Sequence, residues 1–276
     1  MTHVPAERCL SIIQLLSDAD ELPLGVIAER LSLPKSGAHR LLATLVEEGW
    51  AKQDAQTGFY RLTMRLAILG QRFYVASGIP DICQPILDHL ADLSREYVRL
   101  AVVDSAALVW VAHAQGAKGG LMYQPALQSD NVPLHATASG KAWLSTLDVE
   151  SAVQIVLNSE AFQNPGKYGP NAPKSVNRII SDLEATRKRG YGMVNSEAEG
   201  GVSAMAAVVR SGEGGAVAGT VSVAGPSVRM TEARIKDLLP AMQAAASELS
   251  KIWPLRVRAD SEEELIARAS RSRIAV

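Results

Sequence analysis

The sequence predicts an α+β chain of two domains: a small N-terminal winged helix-turn-helix, joined by a linker helix to a larger domain of mixed helix and strand. Three observations carry that prediction. Helical periodicity recurs three times before residue 49, with a tight connection at Ser32-Leu33-Pro34 between the second and third stretches. Two short strand-like runs around a polar turn follow at once. Beyond a break at Ser77-Gly78-Ile79-Pro80, helical and strand patterns alternate to the end of the apolar sequence. A length of 276 residues suits two domains better than one.

In order, Leu10, Ile13 and Leu16 mark a helix over 6–17, which Asp18, Asp20 and Pro23 end. Ile27 and Leu31 mark a short helix over 24–31. A third runs over 35–48, with Pro34 at its start and Gly49 at its stop. Strands at 50–53 and 58–62 flank a turn at 54–57, and Met64, Leu66, Leu69 and Phe73 mark a helix over 63–76. The expected divisions are a winged helix-turn-helix at 1–62, a linker helix at 63–79, a second domain at 80–254 and a charged tail at 255–276. Within the second domain we expect helices at 81–97, 138–146, 175–190 and 231–253. Strands are expected at 98–104, 107–113 and 120–124, a loop at 160–174, and a hairpin of 202–209 with 216–223.

The third helix is two-faced. At about 100° per residue, Ala38, Leu41, Leu42 and Leu45 share one side, while Ser36, His39, Arg40 and Thr44 share the other, with the small Ala43 among them. A helix that enters the major groove needs that division: apolar side inward, hydrogen-bonding side chains outward, with Lys35 and early amides near phosphates. The whole chain, at net charge −1, gives no pointer to nucleic acid. Residues 30–65 do, with six basic side chains (Arg30, Lys35, Arg40, Lys52, Arg61, Arg65) against three acidic ones. The competing reading is a three-helix module for protein contacts, which would have no use for the ribbon that follows.

Other function classes lack their motifs. Gly140-Lys141 has no Gly five positions earlier, and Ala142 stands where a phosphate loop needs Ser or Thr. Residues 212–215 are a hairpin turn. His3, His39, His89, His113 and His135 show no metal-ligand spacing with each other or with Cys9 and Cys83. His135 is expected to be buried and hydrogen-bonded, and Glu197 and Glu199 to lie in a loop with no partner base or nucleophile. No enzyme activity, cofactor or metal is expected. Two distant cysteines fit a reducing cytoplasm, and no run of about eighteen apolar residues is present to span a membrane.

These segments resemble a known family. AERCLSIIQLLSD, VIAERLSLPKSGAHRLLATLVEEGW and GFYRLTMRLAILG are similar to the DNA-binding half of the IclR-type bacterial regulators. PLHATASGKAWLS, RKRGYGMVNSEAEGGVSAMAAVV and the strand ending SVAGP are similar to the second half, and the order is kept over about residues 6–250. The resemblance implies a GAF-like α/β effector-binding domain and a homodimer, or dimer of dimers, on palindromic double-stranded operator DNA near a catabolic operon. It also implies control by a small organic or aromatic acid. Lys35, Ser36, Gly37, His39, Arg40, Thr44 and Arg61 are the expected DNA-binding residues. Gly37 stands where the family commonly has Thr, and Ser32 replaces a frequent Gly. A chain that kept its sensor and lost DNA binding is the alternative.

Matching the second-half motifs places Leu121, Val132, Ala138, Ser139, Val194, Ala204, Ser222 and Ala224 around an effector pocket. Val194, Ala204 and Ala224 would make it apolar, leaving Ser139, Ser222 and the amides at the start of the 138–146 helix to hold a carboxylate. The expectation is an aromatic acid rather than a very small oxoacid.

Overall fold

A computed structural model describes residues 4–125, 132–159, 162, 164–212 and 214–253; the 255–276 tail lies outside them. The chain divides into two compact units, with the division between Tyr74 and Val75.

In the first unit, α1 (Val4–Ser17), α2 (Leu24–Arg30) and α3 (Lys35–Glu47) are followed by a two-stranded antiparallel wing, β1 (Ala51–Gln53) and β2 (Tyr60–Leu62). Helical spacing brings Ile12, Leu16, Ile27, Leu42 and Leu45 into one core, closed by Ala51 and Tyr60 from the wing. Each fully buried Leu or Ile here contributes about 1.5–3 kcal/mol. Gly49, at φ +73°, ends α3, and the Trp50 amide donates back to the Leu45 carbonyl at 2.8 Å. The wing is tied to the helices because Tyr60 and Leu22 exchange both backbone hydrogen bonds at 2.9 Å. In its turn, Asp54 Oδ1 accepts the amides of Gln56 and Thr57 at 2.9 Å. Helix α4 (Arg65–Ala76) buries no residue: Leu69 is 52% and Phe73 74% exposed.

The second unit opens with one π-helical turn, Ile79–Cys83, and α5 (Gln84–Ser94). The helix expected to reach residue 97 stops early because Arg95 adopts the left-handed conformation, φ +59°. Strands β3 (Tyr97–Asp104), β4 (Ala107–Gln115), β5 (Gly192–Asn195), β6 (Val202–Arg210) and β7 (Val217–Pro226) form an antiparallel sheet in the order β4-β3-β7-β6-β5. The remaining helices are α6 (Ala138–Leu144), α7 (Val149–Leu157), α8 (Val176–Arg189) and α9 (Glu232–Ile252). Helix α7 and strand β5 were not expected from the sequence. The strand expected at 120–124 is absent: residues 121–125 are irregular. Side chains alternate across the pleat. Val221 and Val223 are fully buried, while the alternate residues Ser222 and Ala224 face a cavity beneath α6.

Helix α6 lies close on the sheet. A Cβ on Gly192 would come within 2.0 Å of the Ala138 carbonyl, and one on Gly140 within 2.2 Å of the Leu134 carbonyl. Glycine at 140 therefore serves close packing. Among the described residues, no helix is long and apolar enough to cross a membrane.

Candidate DNA-reading helix and effector pocket

On α3, Ala38, Leu42 and Leu45 are buried and Leu41 half-buried, whereas Lys35, Ser36, His39, Arg40, Ala43 and Thr44 are exposed. Gly37 is half-buried, and a Cβ there would meet only Pro34 Cδ, at 3.9 Å. The Thr44 hydroxyl donates to the Arg40 carbonyl at 3.1 Å, so part of its bonding capacity is used within the helix. On the wing, exposed Arg61 is the cross-strand partner of exposed Lys52, which sets two cations side by side. Arg65 is committed elsewhere: its guanidinium bonds the Glu48 carbonyl at the end of α3 and lies 5.0 Å over the Trp50 ring.

In the second unit a cavity of about 60 Å³ lies between the sheet and α6. Of the residues expected there, Ala138, Ser139, Val194, Ala204, Ser222 and Ala224 line it. Register explains four of them: Val194, Ala204 and Ala224 form one cross-strand row, and Ser222 belongs to the next. Leu121 and Val132 do not line it. Leu121 is 65% exposed, its carbonyl held by Arg229 Nη1 at 2.7 Å. Val132 donates its amide to Leu108 at 2.9 Å and joins the core of Leu108, Leu134, Trp143 and Leu144.

The expected apolar wall is present, and charged and aromatic groups join it. Arg99, Trp110, Tyr123 and Glu199 also line the cavity. Arg99 pairs with Ser222 across β3 and β7. Its guanidinium sits 4.6 Å from the Trp110 ring centre and 5.1 Å from that of Tyr97. These are cation–π contacts. Among the described residues it has no hydrogen bond or ion pair. Glu199 Oε1 accepts the Tyr123 hydroxyl at 2.9 Å, and burial, followed by the Glu199 charge, pushes the phenol pKa up. Ser139 is 1% exposed, and its hydroxyl has no partner among the described residues.

At the expected helix-terminus anchor, one amide is already used. Helix α6 has seven residues, and its N-cap Thr137 already takes the Gly140 amide at 3.0 Å. Arg99 is the one cationic side chain among the residues that line the cavity. Its isolation in sequence from the other lining residues gave no signal, and only the pairing of β3 with β7 brings it there.

Two buried groups border the site. Lys141, 3% exposed, bonds Asp182 at 2.8 Å and Glu197 at 2.5 Å, linking α6 to α8 and to the loop after β5. Glu197 is ion-paired with Lys141, and burial still pushes its carboxyl pKa upward. His135, 2% exposed, stands edge-on to Tyr168 and Phe162, and its Nδ1 has no partner among the described residues, contrary to the hydrogen bond expected. Burial, with the nearby Lys141 charge, lowers its pKa to about 4.

A winged unit with a two-faced helix, followed by a sheet domain enclosing a charged cavity, defines a DNA-binding regulator with a small-molecule domain. The chain belongs to the IclR family of bacterial transcriptional regulators. Residues 5–55 match the IclR helix-turn-helix domain and residues 73–251 the bacterial transcriptional regulator IclR C-terminal domain. It is 31% identical to the HTH-type transcriptional regulator BhcR of Paracoccus denitrificans, over 88% of this chain and 85% of that one. It is 29% identical to the acetate operon repressor of Salmonella typhimurium, over 88% and 87%. The fold matches Thermotoga maritima IclR at TM-score 0.63, with 22% identity over 89% of this chain and 96% of that one. An IclR homolog of Microbacterium hydrocarbonoxydans, solved in complex with 4-hydroxybenzoate, matches at TM-score 0.70, with 21% identity over 89% and 98%. The family is one of transcriptional regulators, not enzymes.

Proposed function

We propose that this regulator binds a palindromic operator as a homodimer or dimer of dimers, and that a small organic acid in the α6 cavity controls that binding. The reading takes 1–62 as the DNA-binding domain, 63–79 as the linker helix and 80–254 as the effector domain, acting in the cytoplasm on a catabolic operon. The observation that carries the effector reading is Arg99, a guanidinium in a small cavity that makes no ion pair or hydrogen bond among the described residues, although Glu199 lines the same cavity. A bound carboxylate supplies that partner through charge-assisted, bidentate bonds. Ser139 and Ser222 offer hydroxyls beside it, and Ala138, Val194, Ala204 and Ala224 the apolar wall.

Size favours a small acid. A cavity of about 150 Å³ takes benzene, and this one is about 60 Å³. An aromatic acid is the second reading, favoured by the apolar wall and by the relative solved with 4-hydroxybenzoate; it requires the Tyr123 side of the cavity to open.

On DNA, Lys35, Ser36, Gly37, His39, Arg40 and Thr44 face the groove and Arg61 the backbone. The test joins both halves. A band-shift with DNA from upstream of the gene should show a specific complex, and Arg40→Ala should weaken it about tenfold or more, the worth of one base contact. Small acids should alter the wild-type shift and leave that of Arg99→Gln unaltered. A wild-type protein that shifts no such DNA, with or without acids, refutes the operator reading.

A further inference from the structure

Resting on the reading of the cavity as an acid-binding effector site, we infer that its effector is a hydroxy acid, selected over the matching oxo acid by Glu199. The cavity holds one cation, Arg99, and one carboxylate, Glu199, in addition to the hydroxyls. A carboxylate-bearing ligand gains from Arg99 and is repelled by Glu199 unless it presents a donor there. Glu199 Oε1 already accepts the Tyr123 hydroxyl at 2.9 Å, and Oε2 has no partner among the described residues. Carboxylate oxygens accept only. A ligand hydroxyl donates to that oxygen; a ligand carbonyl sets acceptor against acceptor. Ser139 sharpens the argument. Its buried, unpartnered hydroxyl can donate to the ligand carboxylate or accept from its hydroxyl, so the orphan is satisfied by a hydroxy acid in either orientation.

The assignment also explains why a cavity with so many small apolar residues carries a carboxylate. Glu199 follows Glu197 by two residues, and Glu197 is fixed by Lys141. The segment that presents the Glu199 acceptor is therefore tethered to α6, which forms the other side of the cavity.

The experiment is calorimetric titration of the full-length protein with two matched pairs, lactate against pyruvate and 2-hydroxybutyrate against 2-oxobutyrate. The hydroxy member of each pair should bind at least about tenfold tighter, as one hydrogen bond to a charged acceptor requires. Glu199→Gln, whose amide can also donate, should reduce the preference below about threefold. Tyr123→Phe, which frees Glu199 without altering its charge, should preserve it. Arg99→Gln should remove binding of both members. Circular dichroism and melting temperature establish that each variant is folded, and Tyr123→Phe keeps the comparison available should Glu199→Gln fail to fold. Equal or tighter binding of the oxo acids to wild type overturns the hydroxy-acid inference, as does a preference that survives Glu199→Gln. In both cases loss of all binding in Arg99→Gln leaves the acid-sensor reading intact. Binding of no acid of either kind overturns both.

Discussion

His135 sets a pH limit on the effector domain. The imidazole is 2% exposed, enclosed by Tyr168 and Phe162, and its Nδ1 has no hydrogen-bond partner among the described residues. Burial is the larger cause of its lowered pKa and the Lys141 ammonium the smaller; together they bring it to about 4 from an ordinary 6.5. The sign follows from linkage. Between those values the unfolded chain binds a proton that the folded chain refuses, so folding stability is complete above about pH 6.5 and declines as pH falls toward 4. At about 1.36 kcal/mol per pH unit, the loss between pH 7.5 and 4.5 is about 2.5 kcal/mol. Protonation of ion-paired carboxylates also destabilises the protein in acid, so the measurement is a difference. Urea unfolding of wild type and His135→Leu, followed by Trp fluorescence across that pH range, should show the wild type losing about 2.5 kcal/mol more than the variant. Histidine-selective NMR checks the cause directly. An imidazole at position 135 titrating near 6.5, or parallel losses in the two proteins, refutes the account.

Two further outcomes test the other unit and the assembly. Gly37→Ala should stabilise the winged domain by up to about 1 kcal/mol, because Ala restores helix propensity and its Cβ meets only Pro34 Cδ at 3.9 Å. A lower melting temperature would show that the position requires glycine, and loss of the operator shift without unfolding would show close backbone approach to DNA. Leu69→Asp should halve the mass seen by light scattering, since Leu69 is 52% and Phe73 74% exposed on a helix with no buried residue. An unchanged mass removes the linker helix from the dimer contact.

Apart from α7, the helices were legible because periodicity reports burial directly. Ala38, Leu42 and Leu45 are buried, and His39, Arg40 and Thr44 exposed, as the spacing on α3 required. The β6–β7 hairpin was legible for the corresponding reason, its turn being dense in glycine. Strand β5 was not, since four residues beginning at Gly192 are too short for alternation to register. The end of α5 escaped because an arginine, Arg95, occupies the left-handed position where a glycine or asparagine would have signalled a stop. The stretch at 120–124 has strand-like composition but is held differently: Arg229 bonds the Leu121 carbonyl, and Gln115 bonds that of Tyr123 at 2.9 Å.

The pocket divides along the same line. Its small residues could be placed from motifs because each occupies a regular site on α6 or the sheet. Its charges could not, since a charge in a cavity is defined by what surrounds it. Arg99 looks like any strand arginine until β7 sets Ser222 opposite it and Trp110 and Tyr97 flank it. Glu197 and Glu199 look alike in sequence, yet one neutralises buried Lys141 while the other accepts only a tyrosine hydroxyl. That difference decides their roles. A carboxylate already ion-paired gains little from a ligand, and removing its partner would leave a buried charge at a cost of about 3–5 kcal/mol. A carboxylate with an unoccupied oxygen gains from any donor that reaches it. On the proposed reading, specificity in this cavity resides in the two charged groups with bonding capacity to spare, Arg99 and Glu199, and the apolar wall sets the size of what they select.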